Sequence, residues 1–449
     1  MNHAFLLSAT TNQAEESHSG IVIALAIAVF VGAYVLIATE WVHRVKAALG
    51  GAGLMLLIGG ATDQTAFFSE STGIDWNVIF LLLGMMIVVS VVKQTGLFEY
   101  VAIWAAKRAR GNPYRVMALL CTITALASAL LDNVTTVLLI APVTLLVCAR
   151  IGVSPELYLI AEAMASNIGG TATLIGDPPN IIIGSRAGLS FNDFLLNLTP
   201  IVLALTVVFV VMARFLFRSG FVVDPATASD VMELDERRAI TNPRLLKQSL
   251  AVLALILAGF LLHSLLDFAP AVVALLGAGL LVLISGTSRE EFLEDVEWET
   301  LVFFMGLFVM VGGLVNLGVI DWLGKRAVDA VDGRFLLAST GLLFGSAALS
   351  GVVDNIPYVA TMAPLVAGLA ASGSGGKPTS LWWALALGAD LGGNATAVGA
   401  SANVVVTGIA ARQGHPISFW RFTRYGLVVT TVTILICWPY LWLRYFLLA

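Results

Sequence analysis

Charge is scarce in this chain. Only 12% of its 449 residues are Asp, Glu, Lys or Arg, against 58% hydrophobic, and the mean hydropathy is +0.92. That balance excludes a soluble globule and leaves a polytopic membrane protein. No basic tract occurs, which argues against nucleic acid as a partner; the net charge of -5 says less, because in a bilayer protein the placement of charge outweighs its sum. Cysteine is nearly absent. Cys121, Cys148 and Cys437 lie in apolar runs with no Cys-x-x-Cys or Cys/His spacing, so no disulfide framework, bound metal or cofactor is expected, and they read as packing residues. The first nineteen residues hold no Lys or Arg and so lack the charged start of a signal peptide.

What the chain has in abundance is apolar runs near twenty residues, the length needed to cross a bilayer. They predict spanning helices over about 20–38, 44–62, 77–95, 157–187 (broken), 197–217, 249–266, 270–286, 299–317, 382–411 (broken) and 426–446. Two further segments, about 115–150 and 336–371, read as paired shorter arms folded at an Asp-Asn tip. The basic residues set the orientation. Six of the 24 (Arg186, Lys325, Arg326, Arg334, Lys377 and Arg444) fall on one side and the rest on the other, which by the positive-inside rule puts both termini outside a cell (inner) membrane and segment 218–248 in the cytoplasm. That segment, with Asp224, Asp230, Glu233, Asp235 and Glu236, reads as a linker between two halves, 1–217 and 249–449.

The halves repeat one another. Gly84 falls on Gly306, Gly96 on Gly318, Gly111 on Gly333, Asp132-Asn133 on Asp354-Asn355 and Pro142 on Pro364, always 222 residues apart. Gly169, Gly170, Ala172, Thr173 and Asn180 match Gly392, Gly393, Ala395, Thr396 and Asn403 with one residue more between them. A hairpin that returns to its own side adds no crossing, so each half makes five, and an odd number turns the second copy upside down. The expected fold is an all-α polytopic membrane protein of two inverted repeats, each with five transmembrane helices, a re-entrant hairpin and a broken helix.

The candidate chemistry sits at the tips and the breaks. A carboxylate at membrane depth costs several kcal/mol unless solvated or paired, so Asp132 and Asp354 mark a cavity by default. Asn133, Thr135, Thr136 and Asn355 stand beside them. Paired glycines, and in the first half Pro178-Pro179, should unwind each broken helix, freeing carbonyls near Asn167, Thr173, Asp177 and Asn180, and near Asp390, Asn394, Thr396, Ser401 and Asn403. Two plainer readings compete: the tips as exposed turns between full spans, and the Gly-Gly pairs as close helix packing.

The stretches from Leu131 to Thr136, Asn167 to Gly170, Gly176 to Asn180, Asp354 to Pro357 and Gly399 to Asn403 resemble the ion transporter superfamily, most closely its ArsB/NhaD branch of arsenite-permease and P-protein-like carriers. The likeness covers most of the chain from about 75 onward. It implies a membrane carrier working by alternating access, a homodimer, and for the arsenite permeases a soluble ATPase partner. Related sodium-coupled dicarboxylate carriers have Ser at the tip positions where Asp132 and Asp354 stand here. Four acids (Asp132, Asp177, Asp354, Asp390) and no base then face the inferred cavity, which disfavours an anion. The resemblance thus points to efflux of arsenite or antimonite against protons, with one or more of the four acids carrying the proton, ahead of sodium/proton antiport or a sodium-coupled anion carrier. From other classes, an intramembrane aspartyl protease would use buried Asp but needs no matched inverted halves, and a passive channel would show no gradient coupling.

Overall fold

The computed structural model describes residues 20–39, 41–223, 232, 235–266, 268–286, 289–331, 333–371 and 378–448. The first nineteen residues, Asp224, Asp230, Glu233 and Lys377 lie outside them. No strand occurs among the described residues.

The first half runs α1 (Gly20–Thr39), α2 (Arg44–Leu57), α3 (Trp76–Lys93), α4 (Leu97–Arg108), α5 (Pro113–Leu130), α6 (Asn133–Ile151), α7 (Glu156–Gly170), α8 (Pro178–Ala187), α9 (Phe191–Asn197) and α10 (Thr199–Leu216). The second runs α11 (Pro243–Leu266), α12 (Pro270–Ser285), α13 (Arg289–Glu294), α14 (Trp298–Asn316), α15 (Val319–Val331), α16 (Phe335–Ser350), α17 (Asn355–Ala371), α18 (Thr379–Gly392), α19 (Ser401–Arg412) and α20 (Phe419–Trp442). Eight helices of the described residues are long and apolar enough to cross a membrane. They are α1, α3, α5, α6, α10, α11, α14 and α20, so the arms of the first hairpin, expected to be shorter than a span, are long enough to cross, and α2 and α12 are not. The repeat is visible as a repeated order: three helices, a short helix, a hairpin, a broken helix and a last long helix.

Local chemistry sets the boundaries. Asn112 accepts from Arg115 N at 3.0 Å to start α5, with Pro113 in the first turn, where its missing N–H costs nothing. Asp132 does the same for α6, accepting from Thr135 N at 2.8 Å. Asp177 and Ala400, the residues before α8 and α19, are both extended (φ -143 and -147), so each broken helix restarts at the same place. The short helices α4, α9, α13 and α15 were not expected, and α11 begins at Pro243, inside the anticipated linker.

The chain forms two compact units, Met1–Ile74 with Val302–Leu323, and Asp75–Leu301 with Gly324–Ala449. They do not follow the halves of the sequence. Within the first unit α14 lies on α2, so close that a Cβ on Gly306 would stand 2.9 Å from the carbonyl carbon of Ala48. Within the second, α3 lies on α12 through the repeat-related pair, a Cβ on Gly84 falling 2.8 Å from the carbonyl carbon of Ala274. Each half lends one helix to the other, as inverted repeats do.

Candidate functional site

The second unit brings both hairpin tips and both helix breaks to one place. Asn133, first residue of α6, donates from Nδ2 to Asn167 Oδ1 at 3.1 Å and to Asp177 Oδ2 at 2.9 Å. Asn355, its repeat partner on α17, donates to the same carboxylate at 3.2 Å. Asn167 in turn donates to Asn394 Oδ1 and Asn403 Oδ1, both at 3.0 Å. One hydrogen-bond network therefore joins tip, break, tip and break, and its members are buried at 2% exposure or less. The asparagine of each tip is thus buried, as an exposed turn would not leave it.

Hydroxyls brace each break against its own hairpin. Thr173 Oγ1 donates to Ala129 O at 2.6 Å, and Thr396 Oγ1 to Gly351 O at 2.7 Å. Ser128 and Ser350 do so in the other direction, to Ser166 O and Ala389 O. The unwound carbonyls are answered by two amides: Asn180 reaches Thr173 O, and Asn403 reaches Gly393 O and Thr396 O. These groups hold the loops that present the network.

The remaining expected residues fall around it. Asp132 and Asp354 stand one residue outside, capping their own helices; Asp354 also accepts from Ser401 Oγ at 2.8 Å. Thr135 is half-buried beside Asp132, and Thr136 is buried with an unpartnered hydroxyl. Asp390, fully buried on α18, has no hydrogen-bond partner on either oxygen among the described residues, and Asn394 Nδ2 and Asn180 Oδ1 also lack one.

The repeat is broken where it matters chemically. Asn167 and Asp177 in the first half stand opposite Asp390 and Ala400 in the second, so each half supplies one central acid from a different position. Serines 128, 166 and 350 escaped the sequence reading, although Ser128 and Ser350 share their place in the repeat. A cavity of about 570 Å³ lies between α3, α8, α11 and α12, lined by Asn77, Leu81, Ser185 and His263; Leu174 and Ile181 form its wall next to Thr173 and Asn180.

Residues 34–388 match the family described as citrate transporter (CitMHS). An uncharacterized transporter of Mycobacterium bovis is 56% identical over 94% of this chain and 99% of its own length. The human P protein is 33% identical over 93% of this chain, which spans 59% of that relative. Two solved transporters share the fold at low identity: YdaH of Alcanivorax borkumensis (TM-score 0.58, 16% identity, 94% of this chain and 98% of that one) and MtrF of Neisseria gonorrhoeae (TM-score 0.63, 12% identity, 95% and 96%).

Proposed function

The chain belongs to the CitMHS family of membrane transporters, and from that footing we propose that it is a secondary active exporter of trivalent arsenite or antimonite, driven by proton antiport through alternating access. The observation that carries this reading is the composition of the centre. Five asparagines (Asn133, Asn167, Asn355, Asn394 and Asn403) form one network with Asp177, two of them donating to its carboxylate, with Asp390 on α18, and no Lys, Arg or His among the described residues hydrogen-bonds to any of them.

Arsenous acid is a neutral molecule with three hydroxyls. Each hydroxyl donates to an amide or carboxylate oxygen and accepts from an Asn Nδ2, which is the mixture of groups on offer. An unaccompanied anion would meet acids and no base. A bare charge in so buried a cluster costs several kcal/mol, so substrate and proton displacing one another keep the centre neutral, and this exchange is the coupling. Of the four acids, Asp177 and Asp390 belong to the centre; Asp132 and Asp354 serve their helix ends. The cavity behind Leu174 and Ile181 supports a route from the centre on one side. Sodium at the same acids would make the protein a sodium/proton antiporter.

The family's description favours a second reading, a citrate carrier. Citrate would then have to enter with a cation bound, because its own charge finds no partner here. Purified protein in liposomes separates the readings when challenged with arsenite, antimonite, sodium, and citrate with and without magnesium, each with and without an imposed pH gradient. Arsenite flux that follows the gradient is expected; flux of magnesium-loaded citrate alone would overturn the arsenite reading.

A further inference from the structure

A second set of buried polar groups leads away from the centre, between α5, α6 and α7. On α7, Glu162 precedes Ser166 by one turn and so shares its face. It is 2% exposed. Its Oε1 accepts from Thr144 Oγ1 at 2.5 Å, and its Oε2 has no partner. On α6, Thr136, Ile140 and Thr144 follow at four-residue spacing on one face, running from beside the tip Asn133 down to Glu162. On α5, Cys121, Thr124 and Ser128 share a face at spacings of three and four residues. At the central end Ser166 Oγ donates to Asn133 O at 2.9 Å and Ser128 Oγ to Ser166 O at 2.7 Å. Thr124 Oγ1 and Thr136 Oγ1, both fully buried, have no partner among the described residues. Three orphaned polar atoms in one helix interface are expensive, on the order of 1–3 kcal/mol each, unless mobile protons or water satisfy them.

The other repeat shows the same interface sealed. Thr136 is replaced by Tyr358, whose hydroxyl donates to Ser346 Oγ at 2.9 Å, and Ser346 stands where Thr124 does. Glu162, Thr144 and Cys121 become Leu385, Val366 and Leu343, all fully buried. One half keeps a polar file and the other fills it with a phenol ring and aliphatic side chains. Packing alone would not require the difference.

We infer that Glu162 is a second proton-binding site, joined to the central Asn–Asp cluster through the hydroxyls of Thr124, Thr136, Ser128 and Ser166. The file carries protons between the centre and the end of the protein where α7 begins. There Tyr158, one turn before Glu162, donates to Pro113 O at 2.9 Å, and Glu156 reaches the surface. The titratable groups around Glu162 are the Cys121 thiol from α5, the Cys148 thiol from α6 and the Tyr158 phenol on its own helix; no cation among the described residues pairs with it. A proton from water at that end binds Oε2 and leaves again toward the Asp177 carboxylate, each hydroxyl on the way accepting one proton as it gives up another, so that the file ends as it began. This deepens the proton coupling proposed above and rests on it.

The test uses the full-length protein in liposomes with arsenite as the probe, comparing wild type, Glu162→Gln and Glu162→Asp. Glu162→Gln should lower pH-gradient-driven arsenite flux by at least roughly tenfold. It should leave arsenite/arsenite exchange without a gradient near wild type, and Glu162→Asp should restore part of the driven flux. Wild-type driven flux in Glu162→Gln overturns the inference. A second arm needs no substrate: infrared difference spectra between about pH 5 and 9, with the Glu162 carboxyl band assigned by its loss in Glu162→Gln. That band should follow bulk pH, and go on doing so in Thr124→Val with Thr136→Val, which cuts Glu162 off from the centre and not from water, while gradient-driven flux in that variant falls as in Glu162→Gln; a band indifferent to bulk pH overturns the inference. If wild type moves no arsenite under a gradient, the transport reading fails by itself and the infrared arm still decides the site.

Discussion

Asparagine carries the centre because an amide both donates and accepts, so one residue can pass a hydrogen bond from hairpin to break and on to the opposite repeat. Asn167 does this with three partners. Asn167→Ala should orphan buried groups on Asn133, Asn394 and Asn403, costing about 1–3 kcal/mol, visible as an earlier melt in detergent together with loss of transport. Asp177→Asn keeps an oxygen to accept from Asn133 and Asn355 but removes the charge. Arsenite exchange should therefore survive while gradient-driven flux falls at least about tenfold. Asp132→Asn is the control, since Asn caps a helix as well as Asp does, and its coupling should stay within about twofold of wild type. The sequence singled out the Asp-Asn pairs correctly as a place, yet it could not apportion them. Reading Asp132 as the cap that accepts from Thr135 N, which frees Asn133 to face inward, needs the turn geometry at Leu131.

Among elements, the hairpins and breaks were legible because each interrupts a long apolar run with residues that belong in no ordinary span. The short helices were not: Leu97–Arg108 carries Glu99, Lys107 and Arg108, and such a segment reads equally well as a loop. Glu162 escaped for another reason. A lone acid in an apolar run has no meaning until Thr144, on a different helix, is placed beside it. Packing of α7 on α5 is tight at Gly169, where a Cβ would meet Ala125 O at 2.1 Å. Gly169→Ala should destabilise by about 1–3 kcal/mol, whereas Gly341→Ala on α16, with open space around it, should leave the melt unchanged or raise it. Between the halves, Lys107 on α4 grips Glu236 at 2.5 Å, and Thr241 Oγ1 donates to Gln94 O. Lys107 holds the Glu236 carboxyl below the usual carboxylate range. The grip is therefore complete at neutral pH and lost only as pH falls through that lowered value. Hydrogen-exchange protection of residues 236–241 should drop on acidification, and at neutral pH in Glu236→Gln.

At the scale of the whole molecule, the buried tips make a labelling prediction. In a cysteine-free background, Asp132→Cys and Asp354→Cys should resist membrane-impermeant thiol reagents except when the transport cycle opens the centre to one side. Free labelling of position 132 from one side and 354 from the other, whatever the transport state, would contradict a shared central site. The repeat itself was fully legible, since it is a matter of counting. The pairing of helices was not: that Gly84 meets Ala274, and Gly306 meets Ala48, depends on which faces the inverted halves turn to each other.

That reciprocal lending of helices sets a timetable for biogenesis. During synthesis α3 leaves the ribosome some 190 residues ahead of the part of α12 that covers it. At about 5–20 residues per second that is a wait of roughly 10–40 seconds. Throughout it the first half sits in the bilayer with its glycine groove open, so the nascent protein needs lipid or an insertion factor to keep that groove from being claimed by a neighbouring chain.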